Sequence, residues 1–240
     1  MRKLVLWGQS VAEYQAMFDL TDEDLQASIF EFGCGPTAMN AALHAQPRTS
    51  DIVSCDPLFS LEKEVLIQEV NQFFERRVAE LRADQYQLDT AAYGGLEHFI
   101  QERHLGCEAF FGDFIDGVRD GRYIASSSPL PFSDMTFQYA LSSHYFFTNI
   151  PASERQDAIV QHILEIKELA RIAHEVRIFP IINRTGEAST LLGPVLLALQ
   201  QADYGVEVRE VPFSLYPKGN AMLRVWANTC VIPSDLTSKS

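Results

Sequence analysis

Two acids and two glycines pose the first chemical question. The run Ile29-Phe-Glu-Phe-Gly-Cys-Gly-Pro36 carries Glu31 out of an apolar, strand-like stretch into a turn holding Gly33 and Gly35, and a second such run, Asp51-Ile-Val-Ser-Cys-Asp56, ends in another acid. Glycine is required where a strand turns sharply into a helix and backbone lies against a ligand, because a Cβ there clashes or forbids the dihedrals. An acid at the tip of the next strand, about 20 residues on, accepts the hydroxyl protons of a ribose. The pairing reads as a nucleotide-cofactor site. Cys34, inside the glycine turn, has no identifiable base and reads as a small turn residue rather than a nucleophile. His98 and Glu102 stand four apart without a third ligand, the pattern of a solvated helix face, so no metal is expected.

These residues need a scaffold, and the surrounding periodicity describes one. Residues 10–28 read as N-terminal helices, with Val11, Tyr14, Met17 and Phe18 at helical spacing and Thr21 with Asp24 resembling a capping box. Strands are expected at 29–32, 51–56, 123–125, within 136–147 and at 175–182, and a hairpin over 206–229 around the turn residues 216–220. Helices are expected at 37–45, 61–82, about 153–173 and 189–201. Residues 84–119 read as a phenylalanine-rich helical insertion, broken near Gly106. Strands alternating with helices and closed by a hairpin indicate one α/β domain over 1–240: a Rossmann-like, mostly parallel sheet with helices on both faces and an antiparallel C-terminal strand.

Composition narrows the partners. With 240 residues, 47% of them hydrophobic, the chain can build one sizeable core. A net charge of −13 argues against nucleic acid, whose phosphates need clustered Lys and Arg. The apolar run Leu4 to Trp7 is too short for a signal sequence or a membrane span. Four scattered cysteines without a C-x-x-C pair suit a reducing compartment. A cytoplasmic protein with no membrane partner is expected, as a monomer or as a homodimer using the 84–119 layer.

With motif and element order in hand, the chain resembles the class I S-adenosylmethionine-dependent methyltransferases over residues 28–229. Three stretches carry the resemblance: Glu31-Phe-Gly-Cys-Gly-Pro36, the strand ending in Asp56, and Leu130-Pro-Phe-Ser-Asp-Met-Thr-Phe137, which is similar to the family's L-P-F-x-D-x-S-F-D stretch. The resemblance implies S-adenosylmethionine as cofactor, S-adenosylhomocysteine as product and a small-molecule acceptor. It places Glu31 near the methionine amine, Gly33 and Gly35 along the cofactor, Asp56 on the ribose, and Ser126 and Ser127 beside the adenine. The segment with Tyr14 stands where the family has a helix that lids the site. Three positions depart from the pattern: Thr37 replaces the third glycine, Ser126 an acid, and Gln138 the Asp after the fourth-strand Phe.

Methyl transfer is an in-line displacement in which positioning and desolvation supply much of the rate. His144, in Leu141-Ser-Ser-His-Tyr145 just past the fourth strand, is the first candidate for a catalytic base, and Tyr145 the second. Two alternatives stay open. A non-catalytic member of the fold would bind S-adenosylmethionine without turnover, as the lost acids suggest. An NAD(P)-dependent oxidoreductase would use Gly33-x-Gly35-x-x-Ala38 as its G-x-G-x-x-G/A motif, although Pro36 removes a backbone donor that a pyrophosphate would use.

Overall fold

The computed structural model describes residues 7–46, 51–83, 88–125, 128–147, 155–183, 186–213, 215 and 219–228. Among them seven strands form one sheet: β1 (Ile29–Phe32), β2 (Ile52–Cys55), β3 (Tyr123–Ile124), β4 (Phe137–Ser143), β5 (Ala173–Phe179), β6 (Tyr204–Glu210) and β7 (Ala221–Ala227), in the order β3-β2-β1-β4-β5-β7-β6. The first five in that order pair parallel, and β7 lies antiparallel between β5 and β6. This is the Rossmann-like sheet with a C-terminal antiparallel hairpin that the sequence predicts; residues 216–218 of its turn lie outside the described residues.

The helices are α1 (Val11–Phe18), α2 (Met39–His44), α3 (Lys63–Arg82), α4 (Leu96–Arg119), α5 (Arg155–Ile172) and α6 (Leu192–Gln201). They divide between the two faces of the sheet. Tyr14, Met17, Met39, Leu43, Val78, Leu81 and Phe99 pack with Ile29 and Ile52 on one side, while Ile166, Leu169, Val195 and Leu199 pack with Phe30 and Phe32 on the other. Strand alternation therefore turns Glu31 toward α1 and α2, and Phe32 toward α5. All four residues of β1 are buried, as a central parallel strand covered on both faces requires.

Local chemistry explains the helix that precedes β1. Ser10 and Glu13 form a reciprocal capping box at the start of α1: Ser10 N donates to Glu13 Oε2 at 2.8 Å, and Glu13 N to Ser10 Oγ at 3.3 Å. At its other end Asp19 is left-handed (φ 50°), and Arg177 of β5 donates to the carbonyls of Phe18 (2.6 Å) and Asp19 (3.1 Å). A buried guanidinium thus satisfies carbonyls that the end of a helix leaves without partners. Thr21 and Asp24 exchange the hydrogen bonds of a capping box, but they open only a 3-10 turn at Asp24–Gln26.

The structure corrects the expected break at Gly106, because α4 runs through it without interruption. Gly106 marks a close approach instead. A Cβ there would overlap the Gly8 carbonyl oxygen, and one at Gly8 (φ 93°) would overlap the carbonyl of Arg103. Two backbones touch at this crossing, which only glycine allows. No helix among the described residues is long and apolar enough to cross a membrane.

Beneath the sheet, His162 of α5 sets an acid limit on stability. Its Nε2 accepts from Phe147 N at 3.0 Å, so the neutral ring carries its proton on Nδ1, and Phe146 and Phe147 flank it edge-on at 5.1 and 5.2 Å. Burial lowers its pKa from 6.5 to about 4. Between those values the unfolded chain binds a proton that the folded chain refuses. This contribution is therefore complete above pH 6.5 and is lost as pH falls toward 4, by at most about 3 kcal/mol. Urea unfolding of His162→Gln is expected to show a smaller loss of stability between pH 6.5 and 4.5 than the wild-type chain. An equal loss in both would assign the acid sensitivity to other groups.

Candidate cofactor site at the carboxyl edge of the sheet

β1 lies between β2 and β4, so connections leave it toward opposite sides, and the crevice beyond the carboxyl ends of β1 and β4 is the topological switch point where open α/β sheets bind ligands. The glycine turn opens there. Gly33 and Gly35 both have φ 61°, a left-handed conformation that disfavours a Cβ, and Gly33 N donates to Cys55 O at 2.8 Å. Two aromatic rings bear on the turn. A Cβ at Gly33 would overlap the Tyr145 ring, and one at Gly35 the indole of Trp7. Trp7 is stacked on Phe73 (4.1 Å between centroids), and Tyr145 meets Phe32 edge-on (5.1 Å).

Asp56, just past β2, is buried and bound to the turn. Its Oδ2 accepts from Gly35 N at 2.8 Å and its Oδ1 from Leu58 N at 3.0 Å. The acid and the glycine turn therefore form one hydrogen-bonded unit. The chain before α1 closes over the same place, since Gly8 N donates to Pro36 O (2.8 Å) and Ala38 N to Gln9 O (2.9 Å). Cys34 is buried with its Sγ 3.9 Å from Cys55 O.

Glu31 is fully buried on the α1 side. Burial raises its pKa, an effect opposed by hydrogen bonds from the hydroxyls of Ser54 and Thr37, the latter at 3.3 Å. Thr37, at the position of the family's third glycine, thus brings a donor to the acid. Ser54 is in turn reached by Asn40 Nδ2 (2.9 Å), and Asn40 Oδ1 accepts from Arg122 (2.6 Å). Arg122 pairs with both oxygens of Asp113 at 2.6 and 2.8 Å. A guanidinium is linked to the buried carboxylate through an amide and a hydroxyl. Tyr14 Oη is buried beside Glu31 and Thr37, and burial together with the charge of Glu31 raises its pKa well above the ordinary phenol value.

His144 and Tyr145 follow β4 on opposite sides of the sheet. His144 has φ 59°, its N donates to Phe179 O at 2.6 Å, and its Nδ1 lies 2.6 Å from Ser143 Oγ. The imidazole is buried edge-on against Phe179. Tyr145 turns toward α5 and donates from Oη to Glu165 Oε1 at 3.0 Å. Burial and the Glu165 carboxylate raise its pKa above the ordinary phenol value, which keeps the hydroxyl protonated at neutral pH. Ser126 and Ser127 lie outside the described residues. Among those described, no group of three His, Cys, Asp or Glu could hold a metal ion.

Trp7, Thr37, Ser54 and Glu165 are residues of this site that sequence reasoning missed. An aromatic next to Gly8 was a weak signal for Trp7, whereas Glu165 sits in a charged helix that reads as an ordinary solvated face.

No protein-family model matches the chain. An uncharacterized protein of Methanocaldococcus jannaschii is 24% identical over 230 residues, spanning 93% of this chain and 96% of that protein. Among solved structures, the methyltransferase domain of bacterial CtHen1-C is 13% identical over 86% of this chain and 93% of its own, with a TM-score of 0.41. A Thermotoga maritima S-adenosylmethionine-dependent methyltransferase, described as a possible histamine N-methyltransferase, is 12% identical over 91% and 88%, with a TM-score of 0.37. The O-methyltransferase NcsB1 of neocarzinostatin biosynthesis, in complex with S-adenosylhomocysteine and 1,4-dihydroxy-2-naphthoic acid, is 13% identical over 87% and 51%, with a TM-score of 0.42. Likeness of this size carries no activity over to this chain. The resemblance to class I methyltransferases rests on the chain's own motifs and on its mostly parallel sheet with the terminal hairpin.

Proposed function

We propose that the chain binds S-adenosylmethionine in the crevice beyond β1 and β4 and transfers its methyl group to a small-molecule acceptor. One observation carries the reading: at the switch point, a glycine turn that admits no side chain is hydrogen-bonded to the acid at the tip of the next strand, Gly35 N to Asp56 Oδ2. Polar groups lie on either side of it, the buried Tyr14 Oη on the α1 side and the half-buried Glu165 carboxyl on the α5 side. That set fits a ligand with polar groups at both ends.

When bound, S-adenosylmethionine supplies a methyl group on a sulfonium sulfur. Gly33 and Gly35 would line it, Asp56 would take the ribose hydroxyls, and the resemblance assigns Ser126 and Ser127 to the adenine. Glu31 and Tyr14 serve the amino-acid end, where a buried carboxylate suits an ammonium group. The Trp7 and Tyr145 rings turn aside for entry and then exclude water. His144 receives the acceptor's proton, with its ring held by Ser143 and Phe179. Tyr145, kept protonated, donates its one proton to Glu165 and serves through its ring beside Gly33 rather than as a base. The net charge of −13 favours a small acceptor over nucleic acid.

A second reading, binding without turnover, draws on the acids missing at 126 and 138, where Ser126 and Gln138 stand. Calorimetric titration with S-adenosylmethionine, S-adenosylhomocysteine, NAD and NADP tests these readings together. Micromolar binding of the sulfur compounds alone is expected. Binding of the dinucleotides alone would put hydride transfer first, and silence from all four would overturn the cofactor site. Tight binding with no turnover across an acceptor library would favour the second reading.

A further inference from the structure

β6 is the outer strand of the sheet, and among the described residues no strand pairs with its far edge. At one end of its ladder with β7, Val211 N donates to Asn220 O (2.7 Å), and at the other Asn228 N donates to Asp203 O (3.3 Å). Bonding alternates along an antiparallel strand, so the odd-numbered residues of β6 serve β7, and Tyr204, Val206, Val208 and Glu210 turn their N–H and C=O groups outward. The strand is exposed from Glu207 to Glu210, and Val208 is 48% exposed. An open row of backbone donors and acceptors is a template for another strand.

Charged side chains usually blunt such an edge, but here they run toward it in alternating sign. On the α1 face of the sheet, Arg177 of β5 donates to Glu175 (2.6 Å), Glu175 accepts from Arg224 of β7 (2.8 and 2.7 Å), and Arg224 donates to Glu207 of β6 (2.5 Å). Arg209, two residues on and on the same face, pairs with Asp19 (3.3 Å) at the end of α1. The ladder reaches the edge as one acid and one base, Glu207 and Arg209, with side chains 44% and 45% exposed. Each is open to a further charge of opposite sign.

We propose that β6 pairs antiparallel with β6 of a second copy of this chain about a two-fold axis at Val208, so that the sheets of the two copies run on into each other. In that register Glu207 faces Arg209 of the partner subunit, and Arg209 faces Glu207 of the partner subunit, at the non-hydrogen-bonded positions where opposed side chains come closest. The outward groups of Val206, Val208 and Glu210 bond across the axis, and the patch is self-complementary as a two-fold contact requires. Sliding to the next register that keeps those groups paired sets Glu207 against Glu207 of the partner subunit, or Arg209 against Arg209 of the partner subunit, which like charge opposes. Charge thus selects the register as well as the partner. The contact does not depend on the cofactor reading.

Sedimentation equilibrium of the full chain is expected to give twice the chain mass of 27.0 kDa. Val208→Pro deletes an N–H that faces outward and spares the bonds to β7, so it should loosen the dimer at least about tenfold while the thermal melt stays cooperative. Glu207→Arg and Arg209→Glu should each be monomeric alone, since each sets like charges opposite one another across the axis. Mixed in equal amounts, the two should form a heterodimer, because one copy then brings two bases and the other two acids. Its formation also reports that both variants are folded. A monomeric wild-type chain, charge variants that still self-associate, or a mixture that stays monomeric would overturn the inference. A wild-type dimer that Val208→Pro leaves unchanged would overturn it too, and would put the contact on another surface such as α4.

Discussion

Arg103→Met is expected to destabilise the fold by about 3–5 kcal/mol, the cost of leaving one member of a buried ion pair without its partner. The Arg103 side chain is 1% exposed and pairs through Nη1 with Glu13 Oε2, itself 10% exposed. Glu13 also accepts from Tyr93 Oη and Ser10 N, and the guanidinium stands 4.7 Å from the centre of the Phe99 ring. One ion pair therefore fastens α1 to α4. Burial alone would raise the Glu13 carboxyl, but the charge and hydrogen bond of Arg103, with Tyr93 and Ser10, hold it below the usual range. The pair's contribution is accordingly present above the unfolded pKa near 4.5 and is lost as pH falls through the folded one. Chemical denaturation should show the deficit of Arg103→Met at neutral pH and a narrower deficit below about pH 4.5, where protonation relieves the stranded acid. Combining it with Glu13→Gln should recover part of the loss. A deficit under about 1 kcal/mol at pH 7 would mean that Tyr93 and Ser10 alone satisfy the carboxylate.

Two alanine substitutions in α4 are expected to have opposite signs. At Gly106 the added Cβ would lie 2.6 Å from Gly8 C and 2.8 Å from Gly8 Cα, in addition to overlapping its oxygen. Every obstacle is backbone, with no flexible side chain to yield, so Gly106→Ala should destabilise by about 2–3 kcal/mol. At Gly112, in the same helix, nothing lies within 4 Å of the added Cβ. There the gain in helix propensity acts alone, and Gly112→Ala should stabilise by roughly 0.5–1 kcal/mol. Thermal or urea melts of the two variants separate packing from propensity. Because Gly8 also donates to Pro36, Gly106→Ala should speed amide exchange in residues 7–9; unchanged exchange there would mean that α4 moves instead.

What the sequence made legible was local. The glycine turn, the acid after β2 and the terminal hairpin each declare themselves within a few residues, since turns and strand ends have their own residue chemistry. Partnerships between distant residues were not legible. Glu13 meets Arg103 across 90 positions, and Tyr145 meets Glu165 from a helix whose charges resemble a surface face. Gly106 was misread because helix interruption and close packing call for the same residue. Thr37 looked like a loss from the glycine motif, yet its hydroxyl reaches Glu31, a relation visible only once the turn is folded.

The pairing of β1 bears on how the protein is made. Ile29 lies opposite Tyr139 of β4, about 110 residues later in the chain. At roughly 5–20 residues per second, a ribosome leaves that edge of the apolar central strand unpaired for on the order of ten seconds. The nascent chain carries an open strand edge next to Phe30 and Phe32 throughout that interval, which makes β1 the place where chaperone binding or aggregation would begin.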